Sequence, residues 1–179
     1  KKDCPDDEER LERLLIRDFV LISTNTLLRV GEARQLTWGD VAKTQEQVDS
    51  TGKSVQLVYL NVRSETSKVR ASRQVISRGG EYFTRLKARQ QNTERHHHVF
   101  SMDGVKQLAA RRWQKHWNNL MLGIGLEDWK KRKLEWYSLR HFGVTCRAQA
   151  GVSALDISKL AGTSISHIEN TYLKYSQEM

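Results

Sequence analysis

The sequence predicts an α+β domain that is mainly α-helical, with one small antiparallel sheet. A chain of 179 residues is long enough for one domain with its own core. Apolar residues recur at helical spacing over most of the chain, whereas Val and Leu concentrate in two strand-like segments, residues 54–64 and 73–77. No repeat, low-complexity tract or Pro-rich linker divides the sequence into separate domains.

The first half of the chain is predicted to hold two helices followed by the sheet. Pro5 and the acidic residues after it favour a helix start, so the first helix is expected over residues 6–23. A short second helix is predicted over residues 30–36. The apolar side chains of the first helix recur near period 3.6, at Leu11, Leu14, Leu15, Phe19 and Ile22.

The second half is predicted to be helical, over residues 81–91, 104–122, 138–151, 154–162 and 166–175. Gly151 and Gly162 stand where two of these helices should stop, because glycine readily adopts the left-handed conformation found after helices. Ser166 and Glu169 form an S-x-x-E capping box, which predicts that the last helix begins at Ser166.

Charge and cysteine content limit the classes of function. Lys and Arg number 30 against 21 Asp and Glu, which favours a polyanionic partner, with nucleic acid ahead of a membrane surface. A merely basic globular protein is the alternative. Cys4 and Cys146 are too few for a disulfide framework and lack metal-ligand spacing. The sequence has no signal core and no apolar run near the roughly 20 residues of a membrane span, so we expect a cytoplasmic protein.

Arg140 is the first candidate for phosphate binding. With Ser138 as cap, the helix over residues 138–151 would present an apolar stripe that leaves Arg140 outside it. A cation in the first turn of a helix opposes the helix dipole, which makes sense if an anion lies between them. The alternative is a solvated surface arginine. The residues of the predicted stripe are Leu139, Phe142, Cys146 and Ala150.

Arg29 is a second candidate, because it stands among apolar neighbours just before a short helix. Glu32 lies one turn further on and is an available partner. The pair is either a structural ion pair, or Glu32 orients Arg29 towards a phosphate. Two planar guanidiniums could clamp one phosphate with bidentate hydrogen bonds, which lysine cannot match.

Two basic segments are candidate DNA contacts. In "ARRWQKHWNNL", Trp113 and Trp117 are expected to pack inwards while the basic side chains meet phosphates. "WKKRKLEW" is a second basic run, with a solvated loop as the alternative. The candidate DNA-binding residues are Arg111, Arg112, Lys115, Lys130, Lys131 and Arg132.

The histidine run at residues 96–98 is predicted not to bind a metal. Adjacent side chains on an extended segment point to opposite faces, and no fourth ligand stands at a telling spacing. The sequence therefore predicts neither a metal site nor a cofactor.

Two tyrosines near the end, Tyr172 and Tyr175, raise a separate question. Together with Ile168 and Met179 they have the spacing of one buried helical stripe, so both could simply pack. Spacing alone leaves open whether either phenol takes part in chemistry.

Three motifs, in one order, resemble those of the tyrosine recombinases, the phage-integrase family of site-specific DNA recombinases. "LLRVGEARQLTWGDV" is similar to the family's first signature, with Arg29 and Glu32 in register. "YSLRHFGVT" supplies the arginine of the second, Arg140. "LAGTSISHIENTY" is similar to the third, in which a tyrosine, here Tyr172, follows a glycine, here Gly162, by ten residues.

The resemblance implies the tyrosine recombinase catalytic-domain fold over residues 1–179, as a fragment without the family's N-terminal DNA-binding domain. Tyr172 would attack a backbone phosphodiester and form a 3′-phosphotyrosyl link, while Arg29 and Arg140 hold the phosphate. Lys68, five residues before Arg73, is similar to the family's general acid. Tyr175 is assigned a packing role, and neither ATP nor a metal is required.

The partner implied by the resemblance is double-stranded DNA, in a prokaryotic cell or a phage or mobile element. We expect a homo-oligomer on DNA, a tetrameric synapse in this family, and a monomer is possible without DNA. No membrane partner is expected.

Two positions depart from the family pattern. Tyr137 replaces the histidine of H-x-x-R, and Thr163 replaces the His or Trp that usually follows the glycine of the third motif. A phenol is a poor general base at neutral pH, so His141 and His167 are the candidates to replace the lost imidazoles.

Three other functions stay open from the sequence. A type IB topoisomerase shares the Arg, Lys, Arg, Tyr chemistry but relaxes supercoils without joining two sites. A recombinase-derived DNA-binding module could have lost its activity through Tyr137 and Thr163. A basic helical domain that binds RNA or protein would make the motif order a coincidence.

Overall fold

A computed structural model describes residues 6–67 and 70–173, with side chains as far as Thr171. Within these residues the predicted α+β class is confirmed: helices surround a single three-stranded antiparallel sheet. A 3₁₀ turn at Trp38–Asp40 precedes the sheet, and a π-helical turn at Glu169–Leu173 ends the described chain. The helices and strands are α1 (Asp7–Thr26), α2 (Val30–Arg34), β1 (Val41–Val48), β2 (Ser54–Val62), β3 (Arg73–Arg78), α3 (Gly80–Lys87), α4 (Ala110–Gly123), α5 (Ser138–Gln149), α6 (Ala154–Ala161) and α7 (Ile165–Ile168).

Helix α1 is the centre of the fold and packs against α5, α3 and β3. It begins at Asp6, whose carboxylate accepts a hydrogen bond from the backbone N–H of Glu9 at 2.6 Å. Phe19 is fully buried, and its ring lies 4.5 Å from that of Trp113 and 4.9 Å from that of Phe100. Leu11, in contrast, is exposed, so the predicted apolar stripe begins further along the helix than expected.

The sheet has β2 in the middle, paired on one side with β1 and on the other with β3. The sequence did not predict β1. Seven of its eight residues are exposed and most are polar, although the backbone of the strand pairs with β2 along its length. Such an edge strand carries no hydrophobic alternation for a sequence pattern to reveal.

The last helix differs from its prediction. Ser164, not Ser166, is the N-cap, and its hydroxyl accepts a hydrogen bond from the backbone N–H of His167 at 3.2 Å. Helix α7 has only four residues before the backbone widens into the π-helical turn that contains Tyr172. Gly162 ends α6 in the left-handed conformation with φ 62°, as predicted.

The remaining buried aromatic residues complete the core. Trp113 and Trp117 pack inwards, as predicted, and Trp136 lies against both rings. In the described part of the chain, no helix has the length and apolar content needed to cross a membrane.

Candidate active site

Arg29 lies where the end of α1 meets the start of α2. Leu27 closes α1 in a left-handed conformation, with φ 55°, and the chain then turns so that Arg29 becomes the N-cap of α2. The guanidinium donates to Glu32 Oε1 at 2.9 Å and to the carbonyl oxygen of Gly162 at 2.7 Å. Arg29 therefore links the first sequence motif to the third, across more than a hundred residues.

Arg140 reaches the same place from α5. Its Nη1 donates a hydrogen bond to the carbonyl oxygen of Leu27, two residues before Arg29. The side chain is buried, and burial lowers the pKa of Arg140; the positive charges of Arg29 and Arg73 lower it further, against the opposite effects of Tyr137 and Glu32. The guanidinium nevertheless stays protonated, because arginine is not deprotonated in proteins.

The buried face of α5 is not the one predicted. Arg140, Gly143 and Val144 point inwards, whereas Phe142 and Cys146 are exposed. A Cβ atom at position 143 would overlap the carbonyl oxygen of Thr24 in α1. The two helices approach backbone to backbone, and a glycine contact of this kind leaves no apolar stripe in the sequence.

Glu32 and Arg73 hold the site together. The carboxylate of Glu32 is buried and accepts two hydrogen bonds from Arg73, at 3.0 and 2.7 Å, besides those from Arg29. Burial by itself would raise the pKa of Glu32, but the hydrogen bonds from Arg73 and from Arg29 outweigh it, and the pKa lies below its usual 4.5. Glu32 is thus a carboxylate that fixes both guanidiniums.

Arg73 is the site residue that sequence reasoning missed. It begins β3, and in the sequence it served only to locate Lys68. The signal that could have found it is the first motif itself: a carboxylate set among apolar residues can accept more hydrogen bonds than Arg29 alone donates, so a second cationic partner is expected.

These four residues, Arg29, Glu32, Arg73 and Arg140, form what we call the Glu32 cluster. Arg29 and Arg73 pair with the carboxylate, Arg140 lies close enough for the charges of the other three to act on its pKa, and all four side chains are largely withdrawn from water. Such a surplus of desolvated positive charge is suited to bind an oxyanion by charge-assisted hydrogen bonds.

A cavity of about 600 Å³ opens beside the cluster. Arg29, Arg73, Gly162 and Thr163 lie in its wall. The backbone N–H of Thr163 donates to the carbonyl oxygen of Ser158 at 3.1 Å, so this position continues the end of α6. Thr163 therefore lies in the cavity wall together with Arg29 and Arg73.

Tyr137 and His141 lie beside Arg140 at the start of α5. Their rings meet edge to face, with centroids 4.8 Å apart. Burial lowers the pKa of His141 from its usual 6.5, and the charges of Arg140 and His167 lower it further. His141 is therefore largely neutral at pH 7 and able to accept a proton.

Several residues predicted to belong to the site lie wholly or partly outside the residues that the structure describes. Tyr172 belongs to the π-helical turn by its backbone, but its side chain is outside the described residues. Lys68, Tyr175 and Met179 also lie outside them. Their proposed roles stay predictions.

The basic segments differ in how their charges are used. On α4, Arg112 donates to Glu8 at 2.8 Å and contacts Glu12, and Lys115 pairs with Glu9 at 3.0 Å, so both face the acidic start of α1. Arg111 is exposed.

The second basic run precedes the site directly. Lys130, Lys131 and Arg132 are exposed, and Arg132 lies 3.9 Å from Asp128. Lys130 borders a cavity of about 910 Å³ that extends to Tyr137 and is lined by tryptophans. This run is therefore better placed than Arg112 and Lys115 to contact a ligand near the Glu32 cluster.

The extended conformation expected for residues 96–98 is wrong for His96 and His97. Residues 94–97 form a turn closed by a hydrogen bond from the backbone N–H of His97 to the carbonyl oxygen of Glu94, at 3.0 Å. The rings of His96 and His97 lie side by side, with centroids 4.1 Å apart. The argument that they point to opposite faces does not hold.

Comparison with solved structures places the fold. The chain is similar to a substituted form of the Tn1549 transposon integrase in complex with a circular intermediate DNA, at 15% identity and a TM-score of 0.59 over 99% of this chain and 66% of that one. A second Tn1549 integrase complex with circular intermediate DNA gives 14% identity and a TM-score of 0.56, over 96% of this chain and 61% of that one. The chain thus spans less than two thirds of the length of the structures it matches.

Comparison with curated proteins gave no significant match. The phage integrase family matches residues 7–179, which includes all three motifs and every residue of the Glu32 cluster. The motif order, the convergence of Arg29 and Arg140 and this match agree, and the chain therefore belongs to the phage integrase family, the tyrosine recombinases.

Proposed function

We propose that this chain carries the catalytic centre of a site-specific DNA recombinase that cleaves and rejoins DNA strands through Tyr172. One observation carries the proposal: Arg29 and Arg140, 111 positions apart, meet around Leu27 and Gly162 in one desolvated cationic cluster. The structures similar to this chain are integrases in complex with DNA, which supports double-stranded DNA as the ligand.

In the proposed first step, the phenol oxygen of Tyr172 attacks the phosphorus of a backbone phosphodiester. A bond forms between that oxygen and phosphorus, and the bond from phosphorus to the 5′-oxygen breaks. The products are a 3′-phosphotyrosyl link and a free 5′-hydroxyl, so the phosphodiester energy is kept in the covalent intermediate. Attack by a 5′-hydroxyl of another strand reverses the step and completes the exchange.

Arg29 and Arg140 are proposed to bind the two non-bridging oxygens of the phosphate. Negative charge builds on these oxygens in the transition state, and prearranged guanidiniums in a water-poor site stabilise it strongly. Glu32 and Arg73 act as positioning residues. Glu32 accepts hydrogen bonds from both the side chain and the backbone N–H of Arg29, and Arg73 holds the Glu32 carboxylate in place.

Two proton transfers complete the chemistry. Lys68 is proposed to protonate the leaving 5′-oxygen as general acid. The phenol of Tyr172 must lose its proton, and His141 is the proposed acceptor, since its lowered pKa keeps it neutral at pH 7. His167 lies close enough to His141 for its charge to lower the pKa of His141. Tyr137 and Thr163 are proposed to support the phosphate.

The basic run that includes Lys130, Lys131 and Arg132, together with Arg111, is proposed to contact the DNA backbone. Arg112 and Lys115 would contribute only if DNA displaced their partners on α1. Recombination joins two DNA sites, so a homo-oligomer on DNA, a tetramer by family resemblance, completes the proposal.

The test is a trapped covalent adduct. The purified protein is incubated with nicked duplexes of randomised sequence, which lose the short strand after cleavage and so cannot be resealed. Adducts are resolved on a denaturing gel, and the modified peptide is identified by mass spectrometry. We expect adducts with wild type and with Tyr175→Phe, and none with Tyr172→Phe.

Each of the alternatives has its own outcome in this test. DNA binding without any wild-type adduct identifies an inactive DNA-binding module and refutes the proposal. An adduct together with relaxation of supercoiled plasmid, but without joining of two sites, identifies a topoisomerase. An adduct on Tyr175 in place of Tyr172 refutes the assignment of the nucleophile.

A further inference from the structure

Three metal-ligand side chains meet on the turn that lies between α3 and α4. One nitrogen each of His96 and His97 and one carboxylate oxygen of Glu94 all lie within 4.8 Å of one another. Glu94 Oε2 and His96 Nδ1 are 3.7 Å apart. The three residues are separate from the Glu32 cluster and take no part in the proposed strand cleavage.

The backbone of this turn is held on both sides of the ligands. Trp38 donates its backbone N–H to the carbonyl oxygen of His97 at 2.9 Å, and Gly39 donates to that of Arg95 at 2.7 Å. A Cβ atom on Gly39 would lie 2.8 Å from the carbonyl oxygen of Arg95, so the two segments are in close contact. His98 continues the attachment through a bridge to Thr37.

This attachment matters because metal affinity depends on how much order the ligands must gain on binding. Side chains on a floppy tail lose much conformational freedom when they converge on an ion. Here the turn is already closed and fixed to the segment before β1. Only the side-chain torsions of the three ligands remain to be adjusted.

The donor set selects the class of metal. Two imidazole nitrogens and one carboxylate oxygen suit Zn²⁺, Co²⁺, Ni²⁺ or Cu²⁺, whereas Mg²⁺ and Ca²⁺ prefer oxygen ligands alone. Bonds of about 2.0–2.1 Å in tetrahedral geometry separate neighbouring ligand atoms by about 3.3 Å. The 3.7 Å between Glu94 and His96 is close to this separation and requires only a small contraction.

We propose that Glu94, His96 and His97 form a binding site for a transition-metal dication such as Zn²⁺, with water completing the coordination. His97 Nδ1 accepts a hydrogen bond from the backbone N–H of Glu94 at 3.1 Å, so this nitrogen is unprotonated. Coordination through Nδ1 replaces that hydrogen bond. The bound ion acts as a cross-link that stabilises the turn and, through it, the segment that leads into β1.

The site is tested with Zn²⁺ by isothermal titration calorimetry. Co²⁺ is used as a second probe, because its visible absorption reports the coordination geometry. We expect one site with micromolar affinity in wild type and an increase in thermal stability with Zn²⁺ but not with Mg²⁺. His96→Gln and Glu94→Gln should each weaken binding at least tenfold, without changing stability in the presence of a chelator.

His98→Gln is the matched control, because it removes an imidazole of the same run that lies outside the three-residue group, and it should retain wild-type affinity. If burial of His98 prevents this variant from folding, His167→Gln serves in its place. Equal affinity in wild type and His96→Gln refutes the site. Binding only at millimolar Zn²⁺ would show adventitious surface association and refutes it as well. None of these outcomes depends on whether Tyr172 cleaves DNA.

Discussion

Two buried carboxylates in the described part of this protein each belong to a group with three arginines, yet only one of the two groups has the properties of a site. Asp18 in α1 contacts Arg17, Arg85 and Arg89, which we call the Asp18 cluster. In the Asp18 cluster the three arginine side chains are 46, 39 and 23% exposed.

In the Glu32 cluster, Arg29 and Arg73 are 17 and 13% exposed, and Arg140 is 4% exposed as a residue. The number of charges is the same in both clusters, but their solvation differs. Water can solvate and screen the surplus positive charge around Asp18. The guanidiniums around Glu32 are desolvated and donate hydrogen bonds to the carbonyl oxygens of Leu27, Leu160 and Gly162. Counting charges therefore does not identify an anion site; the burial of the uncompensated charge does.

The largest expected effect is a slower rate of DNA cleavage when Arg140 is replaced. Arg140→Met keeps the side-chain volume but removes the guanidinium, so the rate of adduct formation should fall roughly 10²–10³-fold, the usual cost of losing one transition-state donor. The measurement is the initial rate of adduct formation on nicked DNA. Arg85→Met, its counterpart in the Asp18 cluster, should leave the rate unchanged. Equal losses in both variants would contradict the distinction between the clusters.

The second effect concerns stability. Glu32→Gln leaves the desolvated guanidiniums of Arg29 and Arg73 without their carboxylate, next to the charge of Arg140, which should reduce the free energy of unfolding by roughly 3–5 kcal/mol. Asp18→Asn should cost less, roughly 1–3 kcal/mol, because its arginines reach water. Denaturant unfolding with and without sulfate measures both. Sulfate should recover stability in Glu32→Gln and have little effect in Asp18→Asn; recovery in neither variant would argue against an anion site.

The third effect is the pH dependence of cleavage. The folded pKa of His141 lies below its usual 6.5, so the base form predominates at neutral pH and is lost as the pH falls through that lowered value. Wild-type rates should therefore stay level at neutral pH and decline only below pH 6.5. His141→Gln should be slower and lack this decline. An unchanged profile in His141→Gln would remove His141 from the proton transfer.

The smallest effect is on the salt dependence of DNA binding. Lys131→Gln should lower the slope of log affinity against log salt by about 1, as expected for one lost phosphate contact. Arg85→Gln removes a half-buried arginine that is already paired with Asp18, so it should leave the slope unchanged. Equal changes would mean that the Asp18 cluster also faces DNA.

The sequence predicts those elements whose side chains carry the pattern of their environment. Helix α1 and strands β2 and β3 are buried on one side and were expected within a few residues of their observed bounds. Strand β1 pairs with β2 through its backbone, and its exposed polar residues leave no hydrophobic alternation in the sequence. The π-helical turn after Ile168 likewise has no sequence signal that we recognise.

The same division applies to the site. Arg29, Arg140 and Thr163 were proposed from the order of the motifs, but Arg73 was not, because its contact with Glu32 joins β3 to α2. The face of α5 was predicted wrongly for a related reason. A helix that packs through Gly143 contacts its neighbour with backbone, which no count of apolar residues detects.

Gly143 has a consequence for anyone who would rebuild this site elsewhere. It lies three residues after Arg140, on the same side of the helix, and allows α5 to touch the backbone of α1 at Thr24. The reach of the Arg140 guanidinium towards Leu27 is thus determined by the distance between two helix axes. A designer who transplants the two arginines onto another pair of helices must also keep a glycine at the position of Gly143. A methyl group there would collide with the backbone of α1 and move α5 away.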